Sequence, residues 1–217
     1  MNAAAEVHIR DDGYVQDPSS QAVVAAVPVS TGDVVLDACA APGGKATAIA
    51  GTGARVIAAD SRYSRAGLIV ANRRHLDLDD LHVVQTDGAA PPYADTTFDA
   101  VLVDAPCSGL GALRRRADAR WRIRPGDVDE LADLQQRILV ASAPLVKPGG
   151  SLVYSVCTLT KAESVDVVAA IAGALAALGF RADLPADGGW EPYGLDTLVA
   201  VPDAVTDGMA LARWRRA

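Results

Sequence analysis

Two of the chain's three cysteines follow segments that would place a thiol at the end of a buried strand. Cys107 lies within residues 104–109, and Cys157 lies within residues 155–158. A thiolate in such a position can act as a nucleophile, whereas a free cysteine inside an apolar strand is more often a small buried hydrophobe. We expect Cys39 to be of the second kind, packed beneath a ligand. Three cysteines do not form a disulfide framework, which favours reduced thiols and a cytoplasmic protein.

Carboxylates follow several of the predicted strands. The loop 37–45 (DACAAPGGK) follows the first strand, and Asp60, Asp87 and Asp104 follow later ones. One such aspartate is usually a turn or cap residue, but the carboxyl ends of parallel strands share one edge of a sheet, so we expect these acids to meet. The loop lacks the residue pattern of a P-loop and the glycine spacing of a dinucleotide fingerprint. A nucleoside without phosphates fits such an edge, and S-adenosylmethionine is one.

Short apolar segments alternate with helix-compatible segments from residue 33 onward. This alternation predicts right-handed βαβ crossovers and a mostly parallel sheet with helices on both faces. The last two strands, joined without a helix, predict an antiparallel hairpin at the sheet edge. The predicted fold is one doubly wound α/β domain with a seven-stranded sheet. Strands are predicted at 33–38, 55–59, 81–85, 98–103, 151–156, 197–201 and 209–214, and helices at 45–50, 62–75, 125–146 and 161–178.

Length and composition exclude several classes of protein. The 217 residues, 50% hydrophobic and 22% charged, suit one globular domain rather than a disordered chain. No uncharged apolar run approaches the roughly 18 residues of a membrane-spanning helix. The N-terminus has neither the basic start nor the apolar stretch of a secretory signal. His8, His75 and His82 are scattered and the thiols lack zinc-ligand spacing, so we expect no metal site.

The charge of the chain is unevenly distributed. The net charge is −7, yet residues 113–124 hold six arginines against one aspartate, with Trp121 among them. An arginine run is usually a solvated face, but this one follows the loop that contains Cys107. Because neutralised phosphates supply much of the affinity for nucleic acid, we expect this segment to contact a nucleic-acid backbone. The residues expected to do so are Arg114, Arg115, Arg116, Arg120 and Arg122.

Taken together, the motifs resemble those of the RNA cytosine-5 methyltransferases of the RsmB/Nop/Sun family. The resemblance begins near residue 13 and runs to the C-terminus; its most specific feature is DAPCSGLG at 104–111 combined with YSVCT at 154–158. It implies a Rossmann-like class I methyltransferase domain at 31–217, with an N-terminal extension at 1–30 packed on it. It also implies ribosomal or transfer RNA as substrate. The residues implied to bind S-adenosylmethionine are Cys39, Ala40, Ala41, Pro42, Gly43, Gly44, Lys45, Asp60, Arg65, Asp87 and Asp104.

The same resemblance implies a covalent mechanism. Cys157 would add as a thiolate to carbon 6 of cytosine, which makes carbon 5 nucleophilic, and Cys107 would help to release the product. Asp104 would accept a hydrogen bond from the exocyclic amine or, if protonated, donate one to ring nitrogen 3. Lys45 would help to hold the thiolate. The target base must be unpaired or flipped out to be reached.

Departures from the family pattern leave alternatives open. Larger members carry an added N-terminal RNA-binding domain that does not fit in front of Val15, so docking would come from the arginines or from a separate domain or protein. Local departures at Val156, Ser164 and residues 209–210 remove no catalytic atom. One alternative is a catalytically silent RNA-binding or assembly module with the same fold. The other is a DNA cytosine methyltransferase that attacks with Cys107.

Overall fold

The computed structural model describes residues 6–217, whose strands all join one mixed sheet. The strands are β1 (Val34–Asp37), β2 (Arg55–Asp60), β3 (Leu81–Gln85), β4 (Phe98–Asp104), β5 (Val146–Val156), β6 (Phe180–Ala182), β7 (Glu191–Gly194), β8 (Thr197–Ala200) and β9 (Met209–Arg216). The helices are α1 (Pro18–Ala25), α2 (Gly44–Ala50), α3 (Tyr63–His75), α4 (Ala119–Arg122), α5 (Pro125–Ser142) and α6 (Val165–Ala177). None of these helices is long and apolar enough to cross a membrane.

The first five strands are parallel, and the later ones are not. The order across the sheet is β3-β2-β1-β4-β5-β9-β8-β7, and β6 also pairs with β9. Strand β9 runs antiparallel to β5 and to β8. The strand order reverses between β1 and β4, which is the point where open α/β sheets bind their ligands beyond the carboxyl ends of the strands. The predicted doubly wound α/β fold is therefore confirmed.

Two apolar layers cover the faces of the sheet. Side chains of β4 alternate between them, so Val101 packs in the layer that contains Leu139 of α5, and Leu102 packs in the layer that contains Ile49 of α2. All four side chains are fully buried. This burial on both sides explains why the parallel strands are continuous apolar segments in the sequence.

The sheet contains two strands that the sequence pattern did not indicate, so residues 6–217 hold nine strands rather than seven. Both are short: β6 has three residues and β7 has four. Strand β7 includes Pro192, which disfavours a strand assignment but is tolerated at an edge, where an absent N–H breaks no ladder. The predicted hairpin of β8 and β9 is present, with β7 rather than the hairpin itself forming the edge.

Three predicted boundaries are wrong by four or five residues. Helix α5 ends at Ser142 instead of residue 146, because Pro144 has no N–H to continue the helical hydrogen bonds; Ala143–Leu145 form a 3₁₀ turn instead. Strand β5 consequently begins at Val146, five residues before its predicted start. Helix α6 begins at Val165 rather than residue 161, because the preceding residues form a loop at the functional site.

The segment in front of the sheet contains an unpredicted helix, α1. Asp17 caps it by accepting a hydrogen bond from the Ser19 amide at 3.0 Å, and Pro18 occupies its first turn. Val23 is fully buried against α2. Further upstream, Arg10 donates to the Gly44 carbonyl oxygen at 2.6 Å, so this segment reaches the loop after β1. Residues 1–5 of the predicted extension lie outside the described residues.

Candidate active site

The loop between β1 and α2 is held open by its neighbours. Gly43 has φ 110°, a left-handed conformation that side chains rarely adopt, and a Cβ there would lie 3.4 Å from Ile69. Arg65 of α3 donates to the Ala41 carbonyl oxygen at 2.6 Å, and Asn72 donates to the Pro42 oxygen at 2.8 Å. The predicted cofactor loop thus has a fixed shape, with small residues where a ligand would approach the backbone.

Two predicted cofactor acids close the neighbouring strands. Asp60 at the end of β2 accepts hydrogen bonds from the Arg62 amide at 3.0 Å and from Arg65 Nε at 3.2 Å. Arg65 therefore contacts Asp60 and the glycine loop together, as the supporting role predicted for it would require. Asp87 follows β3, is exposed, and accepts from the Ala89 amide at 2.9 Å.

Asp37 begins the loop 37–45 but was not among the residues predicted to bind the cofactor. It ends β1, is fully buried, and neither carboxylate oxygen has a hydrogen-bond partner. Burial raises the pKa of Asp37 to about 7, with Asp104 adding to the shift and Lys45 opposing it. The sequence signal that could have singled out Asp37 is a carboxylate as the last residue of an otherwise apolar strand. Asp37 has no accessible surface, so it lies beneath the site rather than in contact with a ligand. The small-residue loop and the acids on the adjoining strands fit a ligand that carries amine and hydroxyl donors rather than phosphates.

Asp104, at the end of β4, is fixed on both of its oxygens. Lys45 Nζ lies 2.7 Å from Oδ2, and the Ser155 hydroxyl donates to Oδ1 at 2.7 Å. Burial opposes the charge on Lys45, but its contact with Asp104 prevails and the Lys45 pKa is raised. The structure therefore brings one cofactor-loop residue and one predicted catalytic residue into a single ion pair.

The two predicted catalytic cysteines meet across adjacent loops, with Cys107 Sγ and Cys157 Sγ 3.3 Å apart. The hydrogen bond from Cys107 lowers the pKa of Cys157; burial and Asp104 oppose this shift, whereas Lys45 and Arg116 assist it. The same hydrogen bond, together with burial and the charge of Glu163, raises the pKa of Cys107 well above its ordinary value. The pair is therefore polarised, with Cys157 favoured as thiolate and Cys107 as the thiol that donates to it.

Cys39 differs from this pair. Burial, followed by the charge of Asp37, raises the pKa of Cys39 above the range in which a thiol ionises readily. A thiol in such surroundings is a poor nucleophile. The structure thus supports the expectation that Cys39 packs in the loop rather than reacts.

A buried polar network joins the two cysteine loops, and sequence reasoning missed its role. Glu163 is fully buried and accepts from the Ser108 amide at 2.8 Å, from Gln135 at 3.2 Å and from the Thr160 hydroxyl at 2.9 Å. Gln135 of α5 also donates to the Pro106 carbonyl oxygen at 2.9 Å. Because the network contacts residues on both sides of the cysteine pair, it fixes the separation of the sulfurs. The sequence alone does not indicate that Glu163 and Gln135 are buried, since both residue types usually lie at the surface.

The five predicted RNA-contact arginines are not equivalent. Arg114 donates to Asp17 at 2.8 Å, and Arg115 forms an ion pair with Asp207; both carboxylates are only 1% exposed. These two arginines join the segment to α1 and to the loop before β9. Arg116, Arg120 and Arg122 are exposed and remain available to a ligand, and Arg122 also pairs with a neighbouring aspartate at 2.6 Å. Within residues 6–217 no group of three or more His, Cys, Asp or Glu side chains could hold a metal ion.

The open sheet, the loop after β1 and the acids at the ends of its strands define a class I S-adenosylmethionine-dependent methyltransferase. Residues 24–178 match the family model described as 16S rRNA methyltransferase RsmB/F. The chain belongs to this family. S-adenosylmethionine as the cofactor is thereby confirmed, and the residues at the sheet edge fit it.

Similarity to individual proteins agrees with this assignment. The chain is 46% identical over 170 residues to a candidate methyltransferase of Mycobacterium tuberculosis, covering 74% of this chain and 36% of that protein. It is 43% identical over 160 residues to the ribosomal RNA small subunit methyltransferase B of Erwinia tasmaniensis, covering 71% and 37%. Thus the chain spans little more than a third of these relatives. The solved structure of NSun6 from Pyrococcus horikoshii with SFG is similar at TM-score 0.83 and 27% identity, covering 94% of this chain and 53% of that one.

Proposed function

We propose that the chain is the catalytic part of an RNA cytosine-5 methyltransferase that modifies ribosomal RNA through a covalent intermediate on Cys157. The observation that carries the proposal is the polarised pair of sulfurs, 3.3 Å apart, at the carboxyl edge of a methyltransferase sheet. Ribosomal rather than transfer RNA is supported by the family model and by the relatives named as small subunit methyltransferases.

The proposed chemistry uses the two thiols in sequence. The Cys157 thiolate adds to carbon 6 of cytosine, forming a C–S bond and making carbon 5 electron-rich. S-adenosylmethionine would supply a methyl group on a sulfonium, and its transfer to carbon 5 would leave the neutral thioether. Cys107 gives its own proton to water and, as a thiolate, removes the proton from carbon 5. The electron pair of that C–H bond re-forms the 5,6 double bond, and the C–S bond to Cys157 breaks with its electrons leaving on the Cys157 sulfur. The high pKa of Cys107 makes its thiolate a strong proton acceptor for this step.

Asp104 is proposed to orient the base. Its oxygens accept from Lys45 and Ser155, an arrangement that suits a carboxylate. We therefore assign Asp104 the acceptor role toward the exocyclic amine of cytosine rather than donation to ring nitrogen 3. Lys45 then serves two groups, since it neutralises Asp104 and also stabilises the Cys157 thiolate.

The setting of this reaction is part of the same proposal. Both thiols must stay reduced, which fits the cytoplasm. Because the relatives are almost three times as long as the matched region, we propose that a separate RNA-docking domain or protein assists the exposed arginines.

Two reciprocal variants test the mechanism. The protein is incubated with ribosomal RNA and S-adenosylmethionine carrying a labelled methyl group, and 5-methylcytosine is mapped. Cys157→Ser should abolish labelling because hydroxyl is a far weaker nucleophile than thiolate. Cys107→Ala should instead accumulate a covalent protein–RNA adduct on a denaturing gel, because the C–S bond forms but is not released.

The same experiment separates the alternatives. A catalytically silent RNA-binding module would label no RNA even as the wild-type protein. A DNA-type enzyme attacking with Cys107 would keep its activity in Cys157→Ser and would prefer a DNA substrate. The pKa order of the two thiols disfavours that second alternative, since Cys157 is the better thiolate.

A further inference from the structure

Trp121 is the most exposed large hydrophobic side chain of residues 6–217, at 85%. It lies on α4, a single turn of helix between the Cys107 loop and α5. By contrast, Trp214 is 4% exposed and Trp190 is partly buried. An indole offers a large apolar area that folding normally buries, so an indole left in solvent is an unused contact surface.

This exposed indole is connected to the catalytic thiols through the backbone. The Gly111 amide donates to the Cys157 carbonyl oxygen at 3.0 Å, which ties the start of the segment to the active site. Farther along, the Ala119 amide donates to the Arg116 oxygen at 3.0 Å, so a turn links Arg116 to the first residue of α4. The Arg116 charge itself reaches Cys157, whose pKa it helps to lower. Trp121 therefore lies on a short helix of a segment that is anchored to the Cys157 loop at Gly111.

The charge around Trp121 indicates what would cover it. Arg116, Arg120 and Arg124 are exposed, and the only acid of the segment, Asp118, is engaged by Arg122 at 2.6 Å. This local excess of positive charge stands out on a chain whose net charge is −7. Aromatic platforms flanked by cations are the usual means of binding single-stranded nucleic acid, because bases stack while phosphates are neutralised. A protein partner would not require this charge.

We propose that Trp121 stacks on the base of an unpaired nucleotide next to the target cytosine, while Arg116 and Arg120 contact the adjoining phosphates. The inference rests on the proposed function, because a cytosine that reaches Cys157 must leave its own stack. Flipping the target exposes the faces of its neighbours. An indole can cover one such face with little preference for sequence, since every base has a π face.

The test uses a short RNA of uridines with one central cytosine, and two copies in which the nucleotide on the 5′ or the 3′ side of the cytosine is abasic. Binding of each RNA to the full chain is measured at saturating S-adenosylmethionine. Trp121→Ala should weaken binding of the intact RNA by about 5- to 150-fold, the range for one lost base stack. Trp121→Phe should restore most of the affinity. The matched control is Tyr63→Ala, an aromatic side chain 82% exposed on α3, which should bind as wild type does.

The abasic RNAs distinguish stacking from any general loss of structure. The wild-type protein should bind one of the two abasic RNAs more weakly than the intact RNA. Trp121→Ala should bind that abasic RNA and the intact RNA with equal affinity. Unchanged affinity in Trp121→Ala, or the same abasic penalty in both proteins, would overturn the proposal. If Trp121→Ala labels ribosomal RNA with an unchanged KM for the RNA, the stacking role is refuted and the proposed function stands. No labelling by the wild-type protein refutes the proposed function, whatever the binding result.

Discussion

Replacing Arg114 should lower the free energy of unfolding without changing the salt dependence of RNA binding. Arg114 donates to Asp17 and to the Val205 carbonyl oxygen, and it lies 3.5 Å from Asp207. Arg114→Met would leave two carboxylates that are 1% exposed with Arg115 as their only cation. Breaking a buried pair costs about 3–5 kcal/mol. Two nitrogens of Arg114 are buried without partners, which places the expected loss near 3 kcal/mol, or about 6–12 °C in Tm.

The matched control for this prediction is Arg116→Met. Arg116 is exposed and takes part in none of the ion pairs within residues 6–217, so its replacement should change the free energy of unfolding by less than about 0.5 kcal/mol. It should instead reduce the slope of log affinity against log salt by about 1 in RNA binding. Chemical denaturation and salt titrations with the same RNA measure both quantities. A stable Arg114→Met protein with a reduced salt slope would show that Arg114 contacts RNA and that the ion-pair reasoning is wrong.

Three further predictions follow from the site. The raised pKa of Asp37 means that Asp37 favours the folded state at low pH and that this contribution is lost as pH rises towards 7. Between about pH 4 and pH 8, the free energy of unfolding of Asp37→Asn minus that of the wild type should grow by about 4 kcal/mol in denaturant titrations. A constant difference would contradict the raised pKa. A Cβ on Gly111 would lie 2.3 Å from a backbone oxygen, so Gly111→Ala should lower Tm and methylation together, whereas Gly126→Ala, with open space around it, should lower neither. Cys107→Ala should raise the apparent pKa for alkylation of Cys157, because the S–H donor is lost; an unchanged pH profile would remove Cys107 from that role.

The parallel part of the fold was predictable because each strand carries its own signal. The segments around Val101 and Leu102 are apolar on both faces, and every parallel strand ends in or beside a polar residue. The missed elements lack such local signals. Helix α1 begins with Pro-Ser-Ser, which is typical of a turn, and β7 contains Pro192, which disfavours a strand. These two elements therefore form because of the neighbours with which they pack or pair in the folded protein.

The candidate site divides in the same way. DACAAPGGK, DAPCSGLG and YSVCT predict the cofactor loop and both catalytic cysteines, because these functions need particular residue types at particular spacings. The arginine run was less informative, since charge alone does not distinguish Arg114, which is folded onto Asp17, from Arg116, which faces solvent.

The sequence by itself determined the class of fold and the cofactor, and it predicted which thiols react, since all three depend on local patterns. Tertiary structure decided the distance between the two sulfurs, the charges around them and what holds the pair in place. The separation of 3.3 Å, the charges of Lys45 and Arg116 near Cys157, and the clamp made by Glu163 all join residues far apart in the chain. Electrostatic shifts and hydrogen-bond networks depend on distance in space, and that distance exists only after the chain has folded.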